Sequence, residues 1–286
     1  MHPVNAPLKK TEDFVEIGGC RLPLSSLLDR RLSDPAYLAA LRAEMRNAAP
    51  FAHLVVDGWF SPDLLELVRR EFDSPGGIEL TSARTTHEAT YRTPLGSRLG
   101  PASQLYFNLV NSGAFVALLG HVCGVDHLMP DVSLFGGGLH ETRPGGFFDV
   151  HVDFDRHAFT GLRNELVLLT YLNRDWPAEW NGALELWDSA RAECVRKVEP
   201  EFGRAIVMRR TPQSLHGHPL PLTAPVGTVR RSLASYYYSN ADVMRDRTAR
   251  VGTSYLFGDS SDGLRALARG LTPPVLWSFL RRRIRR

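Results

Sequence analysis

His151 and Asp153 stand two residues apart, and His216 follows downstream in the stretch Ser214-Leu215-His216-Gly217-His218-Pro219. In a strand, positions i and i+2 face the same way, so His151 and Asp153 can chelate together. Two imidazoles and a carboxylate hold one triangular face of a metal and leave the opposite positions open, the arrangement of non-heme Fe(II) centres. His-x-Asp alone carries little weight. With ten histidines in the chain, chance gives ~0.6 such matches, and singly these are ordinary strand histidines. The order of the downstream residues carries more. The third ligand is His216 or His218; His216 is favoured, because flexible Gly217 comes after it and a Pro-containing loop begins after His218. Arg230 and Ser232 are again i and i+2. A guanidinium and a hydroxyl aimed inward would clamp the distal carboxylate of a dicarboxylate cosubstrate. Without such a guest, an Arg buried beside a metal would be a costly unpaired charge, or else half of a structural ion pair. Arg231, pointing the other way, is expected in solvent. The ligand types suit iron, manganese or zinc, a three-ligand zinc site with water being the main competitor. The Arg-x-Ser clamp and the absence of an obvious general base favour iron over a zinc hydrolase. His157 is expected in a loop. His140 is either a cofactor contact or a hydrogen-bonded core residue.

These residues need a rigid frame, and the pattern from 130 to 239 supplies one. Short β-rich runs (132–135, 147–150, 165–172, 183–187, 204–208 and 232–238) alternate with Gly, Pro, Asn and Asp turns, the rhythm of an antiparallel sandwich or barrel. Pro144-Gly145-Gly146 turns the chain into the strand that carries His151. Before this block, residues 35–50 have helical spacing with Leu38, Leu41 and Met45 on one side. Residues 50–57 read as a strand. Ser61-Pro62 opens a helix, with Ser as N-cap and Pro at the first position. Residues 75–105 look loop-rich, and Ser112 to Cys123 forms a second helix ending at Gly124. The expected division is a disordered lead (1–12), a helical and strand support (13–129), the core (130–245) and an extension with a basic tail (246–286), all in one structural domain.

The 286 residues are 43% hydrophobic, ample for a packed interior. The net charge of +3 sits largely in Arg281, Arg282, Arg283, Arg285 and Arg286, so no nucleic-acid surface is expected. No apolar leader and no membrane-length apolar run is present. Cys20, Cys123 and Cys194 show neither zinc spacing nor a disulfide framework. A cytoplasmic location fits best.

Three segments together resemble the 2-oxoglutarate- and Fe(II)-dependent oxygenases, in their prolyl-4-hydroxylase-like branch. They are Arg-Pro-Gly-Gly-Phe-Phe-Asp-Val-His-Val-Asp (143–153), Leu-Leu-Thr-Tyr-Leu-Asn-Arg-Asp-Trp (168–176) with Asn-Gly-Ala-Leu-Glu-Leu (181–186), and His-Gly-His-Pro (216–219) with Arg-Arg-Ser-Leu (230–233). The resemblance implies a mainly β double-stranded β-helix, or jelly roll, supported by N-terminal helices. It implies Fe(II), 2-oxoglutarate and O2 as the reaction's partners, with ascorbate stimulating. His151, Asp153 and His216 take the positions of the iron ligands. Arg230 takes that of the basic residue gripping the 2-oxoglutarate C5 carboxylate, and Tyr171 shares that carboxylate. Ser232, His140 and Thr142 fall beside the cosubstrate. Three departures stand out: Thr142 replaces the family's tyrosine, Asn181-Gly182 replaces Gly-Gly, and the stretch from His216 to Arg230 is long. Asp153, absent in related halogenases, makes hydroxylation the default, with release of succinate and CO2.

The substrate is expected to be a small molecule or a glycan- or lipid-linked group. A protein prolyl hydroxylase is the alternative, and a non-enzymatic jelly-roll binding module a second one. Loop positions Arg84, His87, Arg92, Arg98, Asp155, Arg156 and Arg163 admit an anionic substrate or are simply solvated. Trp176, Trp180, Trp187, Arg143 and Tyr236-Tyr237-Tyr238 are candidates for lining the pocket, although such aromatics more often pack in a core. Residues 275–286 would form a short basic helix, with Leu276, Leu280 and Ile284 at i, i+4 and i+8. It either packs on the body or touches an anionic membrane, at the inner membrane surface.

Overall fold

The computed structural model describes residues 12–74, 77–240 and 252–256. Among the described residues, four α-helices and fifteen strands follow one another. The helices are α1 (Pro35–Asn47), α2 (Pro62–Asp73), α3 (Pro101–Val110) and α4 (Gly113–Cys123). The strands before the second half are β1 (Phe14–Ile17), β2 (Cys20–Pro23), β3 (His53–Asp57), β4 (Thr81–Arg84), β5 (Ala89–Arg92), β6 (Met129–Pro130), β7 (Gly138–Thr142) and β8 (Phe148–Val152). Then come β9 (Arg163–Tyr171), β10 (Leu184–Asp188), β11 (Glu193–Val198), β12 (Arg204–Arg209), β13 (Leu215–His218), β14 (Arg230–Ser239) and β15 (Ser254–Tyr255).

The large sheet runs β3-β12-β9-β14-β7-β5-β4, with β6 beside β14, and the small sheet runs β11-β10-β13-β8-β15. The architecture is the expected mainly β jelly roll with flanking helices. Period-two alternation sorts the side chains of the large sheet into two cores. Leu166, Leu168, Ala205, Val207, Leu233 and Tyr237 face the helices, where they join Leu64, Leu65, Val68, Phe107 and Phe115. Their neighbours Val167, Tyr171, Ile206, Met208 and Tyr236 face the interior between the sheets, with Leu184 and Leu186 of β10. The helices thus stiffen the outer face and leave the inner face to chemistry. α3 and α4 are the most apolar helices, yet no single helix among the described residues is long and apolar enough to cross a membrane.

α1, α2 and α4 start at Asp34, Ser61 and Ser112, whose side chains accept hydrogen bonds from the backbone of Ala36, Leu64 and Phe115. α4 ends at Gly124 with φ 63°, a left-handed cap that glycine adopts without strain. Three expectations need correction. Residues 75–105 are not simply loop, because β4 and β5 form a hairpin at the edge of the large sheet and α3 begins at Pro101. Residues 132–135 are a turn and not a strand: the Asp131 carboxylate accepts from the backbone N–H of Ser133 (2.9 Å) and Phe135 (2.7 Å), which bends the chain. The next strand is β7, one turn later.

The third correction is Arg231. It points to the outer face, as strand parity requires, but it is not solvated. α2 covers it, and its guanidinium bonds to Asp73 (2.7 Å) and Glu141 (3.2 Å) while lying over the Phe72 ring. Removing it leaves the buried Glu141 with Arg143 alone. Arg231→Ala is therefore expected to cost roughly 3 kcal/mol of stability, read as a lowered Tm and chemical-denaturation midpoint. An unchanged midpoint would mean that this ion pair does not tie α2 to the sheet. The expected tail at 275–286 and the expected lead through residue 11 lie outside the described residues.

Candidate metal and cosubstrate site

β8 places His151 on the inner face, and Asp153 follows at the strand's end. β13 pairs with β8 so that His216 lies directly opposite His151, with ring centroids 4.6 Å apart. The ligand atoms of His151, Asp153 and His216 all lie within 4.8 Å of one another, and all three residues are buried. The Asp153 carboxylate is 3.5 Å from His151 Nε2 and 3.7 Å from His216 Nε2. Tautomers follow from the hydrogen bonds. His151 Nδ1 donates to the Asp149 carbonyl (2.7 Å) and His216 Nδ1 to the Ser214 carbonyl (2.9 Å). Both Nε2 lone pairs are thereby freed toward Asp153, as metal binding requires. Burial pushes the His216 imidazolium down, against the pull of Asp153. The Phe148 ring stacks on His151 at 4.0 Å and shields it. His218, two residues on, is also buried. Burial, with Arg230 nearby, holds it well below its ordinary value, and its Nδ1 has no hydrogen-bond partner among the described residues.

The clamp lies on β14. Register sets out two rows across the inner face of the large sheet. Arg92, His140, Ser232 and Tyr171 are successive Cα partners on β5, β7, β14 and β9. Thr142 and Arg230 are partners in the next row. Arg230 is buried, and its Nε donates to the Gly182 carbonyl at 2.7 Å. No carboxylate pairs with it among the described residues. Its guanidinium sits over the Tyr171 ring at 5.0 Å, and the buried Tyr171 hydroxyl has no well-aligned hydrogen-bond partner there. Burial pushes the Tyr171 phenol up. A buried unpaired cation beside an orphaned hydroxyl is costly unless an anion joins them. A dicarboxylate satisfies both, so these residues fit 2-oxoglutarate. Gly182 has φ +86°, and a Cβ there would meet Arg230 Cδ at 3.0 Å and Leu222 Cδ2 at 2.7 Å. The preceding position also needs positive φ, and Asn181 supplies it at 60°. Its ψ of −165° lies outside the left-handed helical well that asparagine favours, in a region essentially reserved for glycine, so Asn181 is held in a strained conformation where Gly-Gly was expected, its Nδ2 donating to the Pro221 carbonyl at 2.9 Å.

His140 lines the same cavity, its Nε2 3.3 Å from the Gly137 carbonyl. Burial first, then Arg92, pushes its pKa down to about 4, so it is neutral at pH 7. The cavity, about 720 Å³, runs from His151, Asp153, His216, Arg230 and Ser232 past Thr142 to the β4–β5 hairpin. Tyr236 lines it too. Its hydroxyl, pushed well above the phenol range by burial and then by Asp153, helps hold that carboxylate below its ordinary value despite burial.

Three residues expected to meet substrate are placed elsewhere. Trp176 packs with Trp180, Leu222 and Ala224, and its Nε1 donates to the Asn181 carbonyl. Trp187 packs against Val150, Val152 and Leu215, its Nε1 donating to Glu185. Arg143 lies over the Tyr91 ring and pairs with Glu141. His157 is in a loop, as expected, but buried beside Asp131. Phe148 and the hairpin residue Thr90 join the cavity wall without being singled out by the sequence, and Arg92 does so from a strand rather than a loop. The alternation through Ala89-Thr90-Tyr91-Arg92 is a signal for the hairpin, whereas nothing local marks Phe148.

Residues 137–238 match the model of the 2OG-Fe(II) oxygenase superfamily. Among solved structures, the chain is similar to a putative oxygenase from Shewanella oneidensis, with 12% identity, 83% of this chain and 96% of that one covered, and a TM-score of 0.50. It is also similar to a prolyl-4-hydroxylase from Pseudomonas putida (21% identity, 70% and 98% covered, TM-score 0.48). A third is a prolyl hydroxylase from Trichoplax adhaerens, solved with a hypoxia inducible factor peptide fragment (13%, 71% and 89%, TM-score 0.49). At such identities the likeness concerns the fold. No curated protein matches the chain.

Proposed function

We propose that this chain is a 2-oxoglutarate-dependent dioxygenase, a reading supported by the match of residues 137–238 to the 2OG-Fe(II) oxygenase superfamily model, and that it hydroxylates an unactivated C–H bond of a small molecule or of a glycan- or lipid-linked group. Succinate and CO2 are the coproducts. The observation that carries this reading is the cavity. Its volume of about 720 Å³ lies in the range of small-molecule sites, and it opens on the face bounded by His151, Asp153 and His216.

In this reading those three residues hold Fe(II), with the Asp149 and Ser214 carbonyls fixing both imidazoles in the binding tautomer. Arg230 and the Tyr171 hydroxyl take the C5 carboxylate of 2-oxoglutarate. Ser232, His140 and Thr142 border the cosubstrate as neutral groups. Iron with 2-oxoglutarate and O2 supplies the oxidising chemistry when bound. The chain's own work is orientation and exclusion of water: Phe148 and Tyr236 wall the ligands, and the sheets keep the clamp dry. The protein prolyl hydroxylase reading has one observation in its favour. A second hollow of about 540 Å³ shares Thr93, Pro94, Leu95 and Leu134 with the cavity, so an extended chain has somewhere to go.

The test is an anaerobic titration of Fe(II) and 2-oxoglutarate, followed by the metal-to-ligand charge-transfer absorption. The band is expected in the wild type, absent in His216→Ala and largely kept in His218→Ala. The reverse pattern would move the third ligand to His218, and no band in the wild type would sink the oxygenase reading.

A further inference from the structure

Among the described residues, four that line the cavity carry formal charge: Glu88, Arg92, Asp153 and Arg230. In the oxygenase reading, Asp153 is committed to iron and Arg230 to the cosubstrate. That leaves a pair on the β4–β5 hairpin. Among the charges at Arg84, His87, Arg92, Arg98, Asp155, Arg156 and Arg163, only Arg92 lines the cavity. Glu88 is not free to receive a ligand. Its Oε1 accepts the Thr90 hydroxyl at 2.5 Å, and its Oε2 faces Arg92 at 3.4 Å. The Glu88 side chain is 7% exposed, against 41% for Arg92. Glu88 therefore anchors one edge of the Arg92 guanidinium. A guanidinium carries five N–H donors, and this long contact is the one hydrogen bond Arg92 makes through them among the described residues, in a side chain that lines the cavity. Arg92 is also aimed inward: it is the Cα partner of His140, and its charge is felt by His140 and by the Tyr236 hydroxyl. Two strand spacings separate it from Ser232, or roughly 10 Å, room for the reacting part of a substrate between clamp and cation.

Another part of the lining differs in kind: Leu95, Leu134, Phe135, Phe154 and Phe159 are apolar. Phe135 contacts Phe154 and Phe159 edge-on at 5.4 and 5.5 Å. Phe159 is 73% exposed and Leu95 52%, so both present apolar surface at the mouth with nothing covering it among the described residues. Hydroxyls of Thr81, Ser82, Thr90 and Thr93 line the Arg92 side. A cavity with one cationic, hydroxyl-bearing wall and one aromatic wall suits an amphipathic guest.

We propose that Arg92 is the specificity determinant of this site, receiving a carboxylate or phosphate oxyanion on a substrate whose apolar body lies against Phe135, Phe154 and Phe159. This rests on the oxygenase reading, in that the Arg230 end must be filled by 2-oxoglutarate for Arg92 to be the remaining cation among the described residues. A guanidinium meets such oxyanions with two parallel N–H bonds. Glu88 acts as a positioning residue, holding the fork in that orientation.

The experiment uses full-length protein saturated with Fe(II) and 2-oxoglutarate under argon. Three matched pairs of probes are titrated calorimetrically: phenylacetate, 4-phenylbutyrate and octanoate, each against its primary amide. At least one acid is expected to bind about tenfold more tightly than its amide. Arg92→Gln should erase that preference and Arg92→Lys keep part of it, both with unchanged 2-oxoglutarate affinity. Phosphate-headed analogues of the same bodies distinguish the two oxyanions. Acids bound no better than amides in every pair, or a preference that survives in Arg92→Gln, would overturn the assignment. Failure to bind 2-oxoglutarate in the first step would instead strike the oxygenase reading, so the two failures are separable.

Discussion

His151→Ala and Asp153→Ala are each expected to abolish 2-oxoglutarate turnover while leaving the protein folded. Even the outer partners that orient a metal ligand are worth about 10–100-fold, so loss of a ligand should exceed ~100-fold. The fold should survive because neither side chain belongs to an apolar core. Both lie between the sheets, where Asp153 meets two imidazoles and no packed cluster depends on them. Succinate formation measured beside circular dichroism and Tm separates the two effects. Full 2-oxoglutarate decarboxylation in both variants would remove the metal assignment.

Arg230→Ala should raise the 2-oxoglutarate requirement steeply. A desolvated, charge-assisted pair is worth about 2–5 kcal/mol when one partner is truncated, which is roughly thirtyfold to several thousandfold in affinity. Tyr171 cannot compensate, because its hydroxyl supplies one neutral donor. Arg231→Ala, one residue away, should leave that requirement alone, since its guanidinium binds Asp73 and Glu141 on the other face of the sheet. The measurement is the 2-oxoglutarate dependence of the charge-transfer band in the two variants. Equal weakening would mean that Arg230 and Arg231 do not lie on opposite faces of β14.

Much of the site is legible in the sequence because its geometry is local. His151 with Asp153, and Arg230 with Ser232, each need only the period of two along one strand. The partner of each pair is not local, and there the signal thins. That His216 faces His151 depends on the pairing of β13 with β8. α3 is hard to see for a similar reason. Its N-terminus has Gly100 and no capping side chain of its own; instead Glu71 of α2 accepts from the backbone N–H of Ala102 and Ser103 at 2.7 and 2.9 Å. Arg231 looks solvated because strand parity reports a face but not what covers it. Trp176 and Trp187 look like pocket residues because they flank the right loop, yet each spends its indole N–H on a neighbouring oxygen within that loop or strand.

β15 has a bearing on where this chain can be cut. The superfamily match stops at residue 238, and β14 ends at Ser239. Yet Ser254 and Tyr255 pair with Val152 and His151, the Leu256 N–H donates to the Val150 carbonyl at 2.8 Å, and the Tyr255 ring stacks on His87 at 4.3 Å. A fragment trimmed at the homology boundary would leave the β8 backbone bare along the very residues that carry His151. An open strand edge of this kind recruits other chains. The smallest transplantable unit is thus longer than the recognisable one, and it runs at least through Leu256.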